Sequence, residues 1–191
     1  MKNRIAEKFE RHKAMLEEFA QSGGYEKIES AARVIIAAIA GGGTVYICGN
    51  GGSAADAQHI AGEFVGRFLR DRKALPAVAL TTDTSVMTAI GNDFSYEDIF
   101  SRQVEALVRG GDVLWAISTS GNSANAVSAA KLARLRGAKV VAFVGSAESE
   151  LEKVADVCVC AEAKQSFASQ ELHQIAYHII CDLVEANFAK E

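Results

Sequence analysis

Thr44-Val45-Tyr46-Ile47-Cys48-Gly49-Asn50-Gly51-Gly52-Ser53 is the stretch on which the fold turns. A strand-length apolar run stops at a glycine-rich loop, and a helical pattern over 53–68 begins at once. The run is apolar on both of its faces, as a strand covered on both sides must be. Four more such runs follow, at 77–80, 113–117, 140–144 and 157–160. Helical patterns fill the intervals at 84–91, 96–109, 122–136, 148–154 and 167–188. This alternation predicts an α/β fold: a doubly wound parallel sheet, with right-handed crossovers and helices on both faces. Such sheets bind ligands beyond the C-terminal ends of their strands. The loops after Cys48, Leu80 and Ile117 are therefore the places to look.

Upstream, 1–22 and 25–40 read as a pair of helices. Ile5, Phe9, Leu16 and Phe19 share one face of the first, and Ile28, Ala32, Ile35, Ile36 and Ile39 recur at helical spacing in the second. Gly23-Gly24 separates the two, and Gly41-Gly42-Gly43 ends the second. The chain thus divides into an N-terminal helical extension over 1–43 and an α/β domain over 44–191, one structural unit without linker or internal repeat.

Bulk properties exclude several classes. With 191 residues, 49% of them hydrophobic, and a single proline, the chain can bury a core and is not disordered. Its net charge of −4, from 20 basic and 24 acidic residues, comes without a basic stripe, so no nucleic-acid partner is expected. No apolar run reaches the roughly 18 residues that span a bilayer, and the charged N-terminus lacks a signal-peptide core. A cytoplasmic protein without membrane association is predicted. Cys48, Cys158, Cys160 and Cys181 form no CxxC pair and read as buried small hydrophobes.

The loops Gly49-Asn50-Gly51-Gly52-Ser53 and Ser118-Thr119-Ser120-Gly121-Asn122-Ser123 each turn directly into a helix. Glycine permits close backbone approach to a ligand, the helix N-terminus offers unpaired N–H groups, and hydroxyls add neutral donors. Together they make an anion site that needs no lysine. One such loop alone is better explained as ordinary capping and turn chemistry. Two at one end of a parallel sheet point to a ligand, and the hydroxyls of 118–123 point to phosphate. Neither loop is a dinucleotide or P-loop fingerprint. His59 and Glu63 stand four apart on one predicted helix, and Gln170 and His178 eight apart on another, so each pair shares a face. A core histidine and a solvated glutamate are the plain alternatives. A carboxylate with a histidine also suits aldose–ketose isomerisation, which moves one proton between carbons and one between oxygens.

These residues carry a resemblance. Cys48-Gly49-Asn50-Gly51-Gly52-Ser53-Ala54-Ala55-Asp56-Ala57-Gln58-His59, Ala89-Ile90-Gly91-Asn92-Asp93-Phe94, Ile117-Ser118-Thr119-Ser120-Gly121-Asn122-Ser123, and Gln170-Glu171-Leu172-His173 with His178 resemble the sugar isomerase (SIS) domain family. Within it they are similar to the phosphoheptose isomerases. The resemblance implies conversion of sedoheptulose 7-phosphate to D-glycero-D-manno-heptose 7-phosphate through a cis-enediol. That is the first step of ADP-heptose or GDP-heptose precursor synthesis for bacterial lipopolysaccharide or other surface glycans. It implies Glu63 as the base and His178 as the shuttle between O1 and O2. It further implies Asn50, Gly51, Gly52, Ser53, Glu63, Asn92, Asp93, Ser118, Thr119, Ser120, Ser123 and Gln170 as substrate contacts. It implies one zinc ion per subunit on His59, Glu63, Gln170 and His178, and a homotetramer with interfacial sites that takes a small sugar phosphate. His173 receives no role, and Arg67 reads as a surface ion pair. A non-catalytic SIS relative that binds the replication initiator DnaA is the alternative, disfavoured by Glu63, His178 and the Gly-Gly-Ser of the first loop. One departure stands out: Ala168 occupies the place of the arginine in the family's T-A-R-I-Q-E run.

Overall fold

The computed structural model describes residues 1–163 and 165–189; residues 164, 190 and 191, which fall within the predicted 44–191 domain, lie outside the described residues. Among the described residues there is one five-stranded sheet: β1 (Val45–Gly49), β2 (Ala77–Ala79), β3 (Val113–Ser118), β4 (Lys139–Val144) and β5 (Val157–Cys160). All neighbours pair in parallel, in the order β2-β1-β3-β4-β5. The strand order reverses direction between β1 and β3. The loops leaving these two strands therefore diverge to opposite faces and open a crevice, the topological switch point of a doubly wound sheet.

The two-residue alternation of each strand divides the core. Val45, Ile47, Val113, Trp115, Ile117, Val141 and Phe143 face one layer, formed by α2 (Gly24–Ala40), α3 (Gly52–Val65) and α8 (Ser166–Phe188). Cys48, Leu114, Ala116, Val140, Ala142 and Val144 face the other, where α5 (Ser101–Leu107) and α6 (Ala124–Leu135) lie. Central strand β3 is buried along its whole length, which explains why its sequence reads as one unbroken apolar run. The remaining helices are α1 (Lys2–Gln21), α4 (Thr84–Asp93) and α7 (Glu150–Val154). Cys48 and Cys181 are buried and Cys158 and Cys160 half-buried, all as free thiols. No described helix is long and apolar enough to cross a membrane.

Two predicted helices differ from the structure. The pattern over 96–109 is broken into a 3₁₀ turn, Tyr96–Asp98, and the separate α5. The consecutive residues Ile99 and Phe100 are both buried at the junction, a demand that a one-faced helix does not meet. The pattern over 53–68 stops at Val65. Here the hydrogen bonds that would continue the helix are taken by other groups. Arg72 donates to the carbonyls of Glu63 (2.6 Å) and Phe64 (2.8 Å), while the N–H groups of Phe68, Leu69 and Arg70 go to the Glu185 carboxylate at 2.8, 2.6 and 2.9 Å. The first helix keeps its predicted extent but buries none of its residues; Ile5, Phe9 and Leu16 face outward.

His173 lies wholly inside, between the sheet and α8. Its Nε2 donates to the Val144 carbonyl (3.0 Å), and its ring packs on Phe143 with centroids 5.3 Å apart. Burial, only partly offset by that hydrogen bond, lowers its pKa from the ordinary 6.5 to about 4. The unfolded chain therefore takes up a proton below pH 6.5 that the folded protein refuses until about pH 4. Stability contributed by keeping this ring neutral is complete above that window and is lost as pH falls through it, with a limiting slope of about 1.4 kcal/mol per pH unit. His173→Leu removes the titration without orphaning the Val144 carbonyl, which still accepts from the Ala161 N–H at 2.8 Å. Urea unfolding of both proteins between pH 7 and 4.5 is expected to show the wild type losing stability faster than the variant; parallel curves would contradict the assignment.

Candidate active site

The first loop and α3 bring three functional groups to one face. Asp56, His59 and Glu63 recur at three- and four-residue intervals, one above the other along the helix. From α8, Gln170, Gln174, Tyr177 and His178 meet them. His59 Nε2 lies 2.9 Å from Glu63 Oε1 and 3.4 Å from His178 Nε2. One ligand atom from each of His59, Glu63 and His178 falls within 4.8 Å of the others, an arrangement able to hold a metal ion. Behind them, the buried Asp56 carboxylate receives Gln170 Nε2 at 3.3 Å, Gln174 Nε2 at 3.4 Å and the Tyr177 hydroxyl at 3.5 Å. That hydroxyl also stands 3.4 Å from His59 Nδ1. Having one hydrogen, it can donate to Asp56 while accepting from His59 Nδ1–H, which leaves the Nε2 lone pair facing Glu63 and His178.

Electrostatics follow from this packing. Burial and then the neighbouring His59 ring lower the His178 pKa, so its imidazole is neutral at neutral pH. The His178 ring stacks on Phe68 with centroids 5.6 Å apart and planes 9° from parallel. Burial raises the Asp56 pKa against the opposing effect of its three hydrogen-bond donors.

The position of Glu63 is set by a buried ion pair that the sequence reading passed over. Arg72 and Glu185 side chains are both fully buried, with Nε and Oε1 3.2 Å apart. Arg72 grips the end of α3 at the Glu63 carbonyl, and Glu185, two turns beyond His178 on α8, holds the backbone that presents Phe68. Burial alone would raise the Glu185 carboxyl, but the three backbone donors and Arg72 outweigh it and hold it below its ordinary value. Removing one partner of such a pair costs about 3–5 kcal/mol, because the other is left buried and unpaired.

The second loop forms a cup of hydroxyls. Ser118 Oγ lies 2.9 Å from Ser123 Oγ and 3.3 Å from Ser120 Oγ, at the start of the 12-residue helix α6. Gly121 has φ +67°, and a Cβ there would collide with the Ser149 side chain. Glycine is thus required twice over, by backbone conformation and by space. In the first loop, a Cβ on Gly52 would meet the Gln170 amide, so the absence of a side chain leaves room for that amide beside the loop.

The structure brings His59, Glu63 and His178 together, sets Gln170 against Asp56 and Gly52, links Asn50 to Asn125, and gathers Ser118, Ser120 and Ser123 in the second loop. Asn92 and Asp93 sit exposed at the end of α4, where Asn92 Nδ2 donates to Asp93 Oδ1 at 2.8 Å. The nearby Tyr96 hydroxyl donates to Asn50 Oδ1 (3.0 Å), which ties this segment to the first loop. Ala168 is buried. Arg67 pairs with Asp71 at 2.8 Å on the exposed surface. Asp56, Tyr177, Phe68 and Asn125 were not singled out in the sequence. Asp56 could have been, since it stands three residues before His59 on the same face; Phe68 closes the helical pattern over 53–68, but the helix ends at Val65 and leaves it in the following loop.

The chain is similar to known proteins in sequence and in fold. Residues 9–145 match the SIS domain family. The phosphoheptose isomerase of Roseiflexus sp. is 51% identical over 150 residues, spanning 78% of this chain and 76% of its own length. Among solved structures, the phosphoheptose isomerase GmhA from Neisseria gonorrhoeae superposes with a TM-score of 0.90 at 39% identity, covering 97% of this chain and 98% of that one. A phosphoheptose isomerase from Francisella tularensis gives 0.91 at 33% identity, with 96% and 97% covered.

Proposed function

The chain belongs to the SIS domain family and, within it, to the phosphoheptose isomerases; from that premise we propose how its residues interconvert sedoheptulose 7-phosphate and D-glycero-D-manno-heptose 7-phosphate. The observation that carries the proposal is the convergence of Glu63 and His178 from two helices opposite a cup of three serine hydroxyls. The Ser118–Ser123 loop and the α6 N-terminus hold the phosphate with neutral donors and a helix dipole, in a protein whose net charge of −4 repels anions at long range. Asn50, Gly51, Gly52, Ser53, Asn92, Asp93 and Gln170 contact the sugar chain. Glu63 removes a proton from C1 of the ketose and returns it to C2. His178, neutral at the outset, relays a proton between O1 and O2, so that the ketose carbonyl becomes a hydroxyl while the C1 hydroxyl becomes the aldehyde. The intermediate is a cis-enediol, and the sum of protons is unchanged.

A zinc ion fits the donor set. If Tyr177 claims the one hydrogen of neutral His59, the His59 and His178 Nε2 atoms and the Glu63 carboxylate converge as acceptors, an arrangement that a divalent cation satisfies. We assign one zinc per subunit to His59, Glu63 and His178, with Gln170 supplying its amide oxygen while its Nε2 remains on Asp56. When bound, zinc would polarise the sugar carbonyl as a Lewis acid.

The exposed apolar stripes support a homotetramer with sites at its interfaces. Ile175, Ile179 and Leu183 recur every four residues on α8, beside His178, and are 45%, 40% and 40% exposed. Ile5, Phe9 and Leu16 form a second stripe on α1. Contiguous apolar faces of this kind mark association surfaces. Free thiols support a cytoplasmic setting, where the product enters heptose precursor synthesis for lipopolysaccharide or other surface glycans.

Glu63→Gln is expected to lower kcat on sedoheptulose 7-phosphate by roughly 10³-fold, within the range for losing a general base, with an unchanged circular dichroism spectrum. Retention of full activity would exclude Glu63 as the base. Zinc titration monitored by calorimetry is expected to give one site per chain in the wild type and none in His59→Ala; identical isotherms would remove the metal assignment. Light scattering is expected to return about 81 kDa, four times the 20.3 kDa chain, and a smaller mass for Ile179→Lys. A monomeric wild type would rule out the tetramer.

A further inference from the structure

The two ligand loops leave adjacent strands, yet one side-chain pair alone bridges them among the described residues. Asn50, in the loop after β1, and Asn125, in the first turn of α6, exchange two hydrogen bonds. Asn50 Nδ2 donates to Asn125 Oδ1 at 2.8 Å, and Asn125 Nδ2 donates to Asn50 Oδ1 at 2.9 Å. Asn125 is 2% exposed, and its Oδ1 also accepts from the Ala126 N–H at 2.9 Å. Tyr96 OH supplies a further donor to Asn50 Oδ1 at 3.0 Å. A buried amide used only for packing would be at a disadvantage against a leucine of similar shape, because desolvating it costs more than its hydrogen bonds return. Its placement makes sense as a tie across the switch point, where backbone pairing ends and the two loops diverge.

The accounting of donors and acceptors narrows the role of Asn50 as well. Both acceptor positions of its Oδ1 and one of its two amide hydrogens are committed within the protein. At most one hydrogen of this side chain remains for a ligand. Asn50 serves the sugar through its backbone and through the position of its loop.

We propose that Asn125 is a positioning residue that, through its amide pair with Asn50, fixes the spacing between the phosphate cup and the Glu63–His178 centre. Asn125 touches no reacting atom in this scheme. It sets the register in which a substrate anchored by its phosphate presents C1 and C2 to the acid and base. Misplacement by about 1 Å is enough to lose on the order of 10²-fold in rate. The inference rests on the isomerase reading, and its test separates the two.

The experiment compares wild type, Asn125→Leu, Asn50→Ala and the double variant. Steady-state kinetics on sedoheptulose 7-phosphate are measured alongside calorimetric binding of inorganic phosphate, a probe that occupies the cup alone. Each single variant is expected to lose 10- to 100-fold in kcat/KM, chiefly in kcat. The double variant should be no worse than the poorer single one, as for residues that act as a unit. Phosphate affinity should stay within threefold of wild type throughout. A loss below threefold in Asn125→Leu, a parallel fall in phosphate affinity, or losses that multiply would each overturn the proposal. If Asn125→Leu does not fold, Tyr96→Phe, altered at an exposed ring, removes another contact to Asn50. It is expected to lose at least threefold in kcat/KM with phosphate binding intact, and wild-type behaviour would count against the tie. A wild type inactive on every sugar phosphate tested would defeat the isomerase reading. The tie would then be judged on calorimetry alone, by whether Asn125→Leu weakens sugar phosphate but not inorganic phosphate.

Discussion

A parallel strand cannot be joined to its neighbour by a tight turn, and the rest of this structure follows from that constraint. Each connection must cross a face of the sheet, so each strand delivers its following loop to the same edge. Five parallel strands thus gather the glycine loop, the serine loop and the Leu80–Asp83 segment at one end of the molecule. Reversal of strand order between β1 and β3 then opens a crevice between the first two of these. The location of the site is a consequence of topology before any side chain is considered.

Chemistry within that crevice depends on how α3 and α8 are docked. Both lie on the same face of the sheet and share the apolar layer that contains Ile60, Phe64, Tyr177 and Val184. Apolar packing alone permits small sliding movements; the Arg72–Glu185 pair does not. It ends α3 by claiming the last carbonyls and holds the following backbone against α8, so that Glu63, Phe68 and His178 keep a common frame. A buried ion pair of this kind gives little net stability, because both charges are desolvated. Its contribution here is geometric, at the residues where a fraction of an ångström affects the reaction.

The two ends of the crevice use different physics. At the serine loop, hydroxyls, backbone and a helix terminus converge, none of which carries a full charge. In the proposed role this arrangement would hold a phosphate without a lysine that attracts other anions or perturbs Glu63 and His178. At the opposite end, two imidazoles and a carboxylate are crowded together, with a buried aspartate and a tyrosine orienting one of the rings. Asn50 and Asn125 join these two environments across the gap.

Much of this was legible in the sequence, for reasons that can be named. The apolar strands and their alternation with helices define the sheet, because burial on both faces leaves no alternative composition. The glycine and serine loops are visible because positive φ and close packing restrict the glycines and because a run of hydroxyls before a helix is a recognisable anion-binding composition. Spacing of four places His59 and Glu63 on one helix face. What only the tertiary structure decided is everything that depends on two distant segments meeting. Arg72 and Glu185 are 113 positions apart, and nothing local to either predicts the other. Asn125 reads as an ordinary residue in a helix's first turn until Asn50 is placed against it. The early end of α3 contradicts its own helical pattern, because Arg72, from the segment that follows, and Glu185, from α8, take the hydrogen bonds that would continue it. Local periodicity records which face of an element is buried; it carries no information about which partner arrives there, and it is the partner that makes the site.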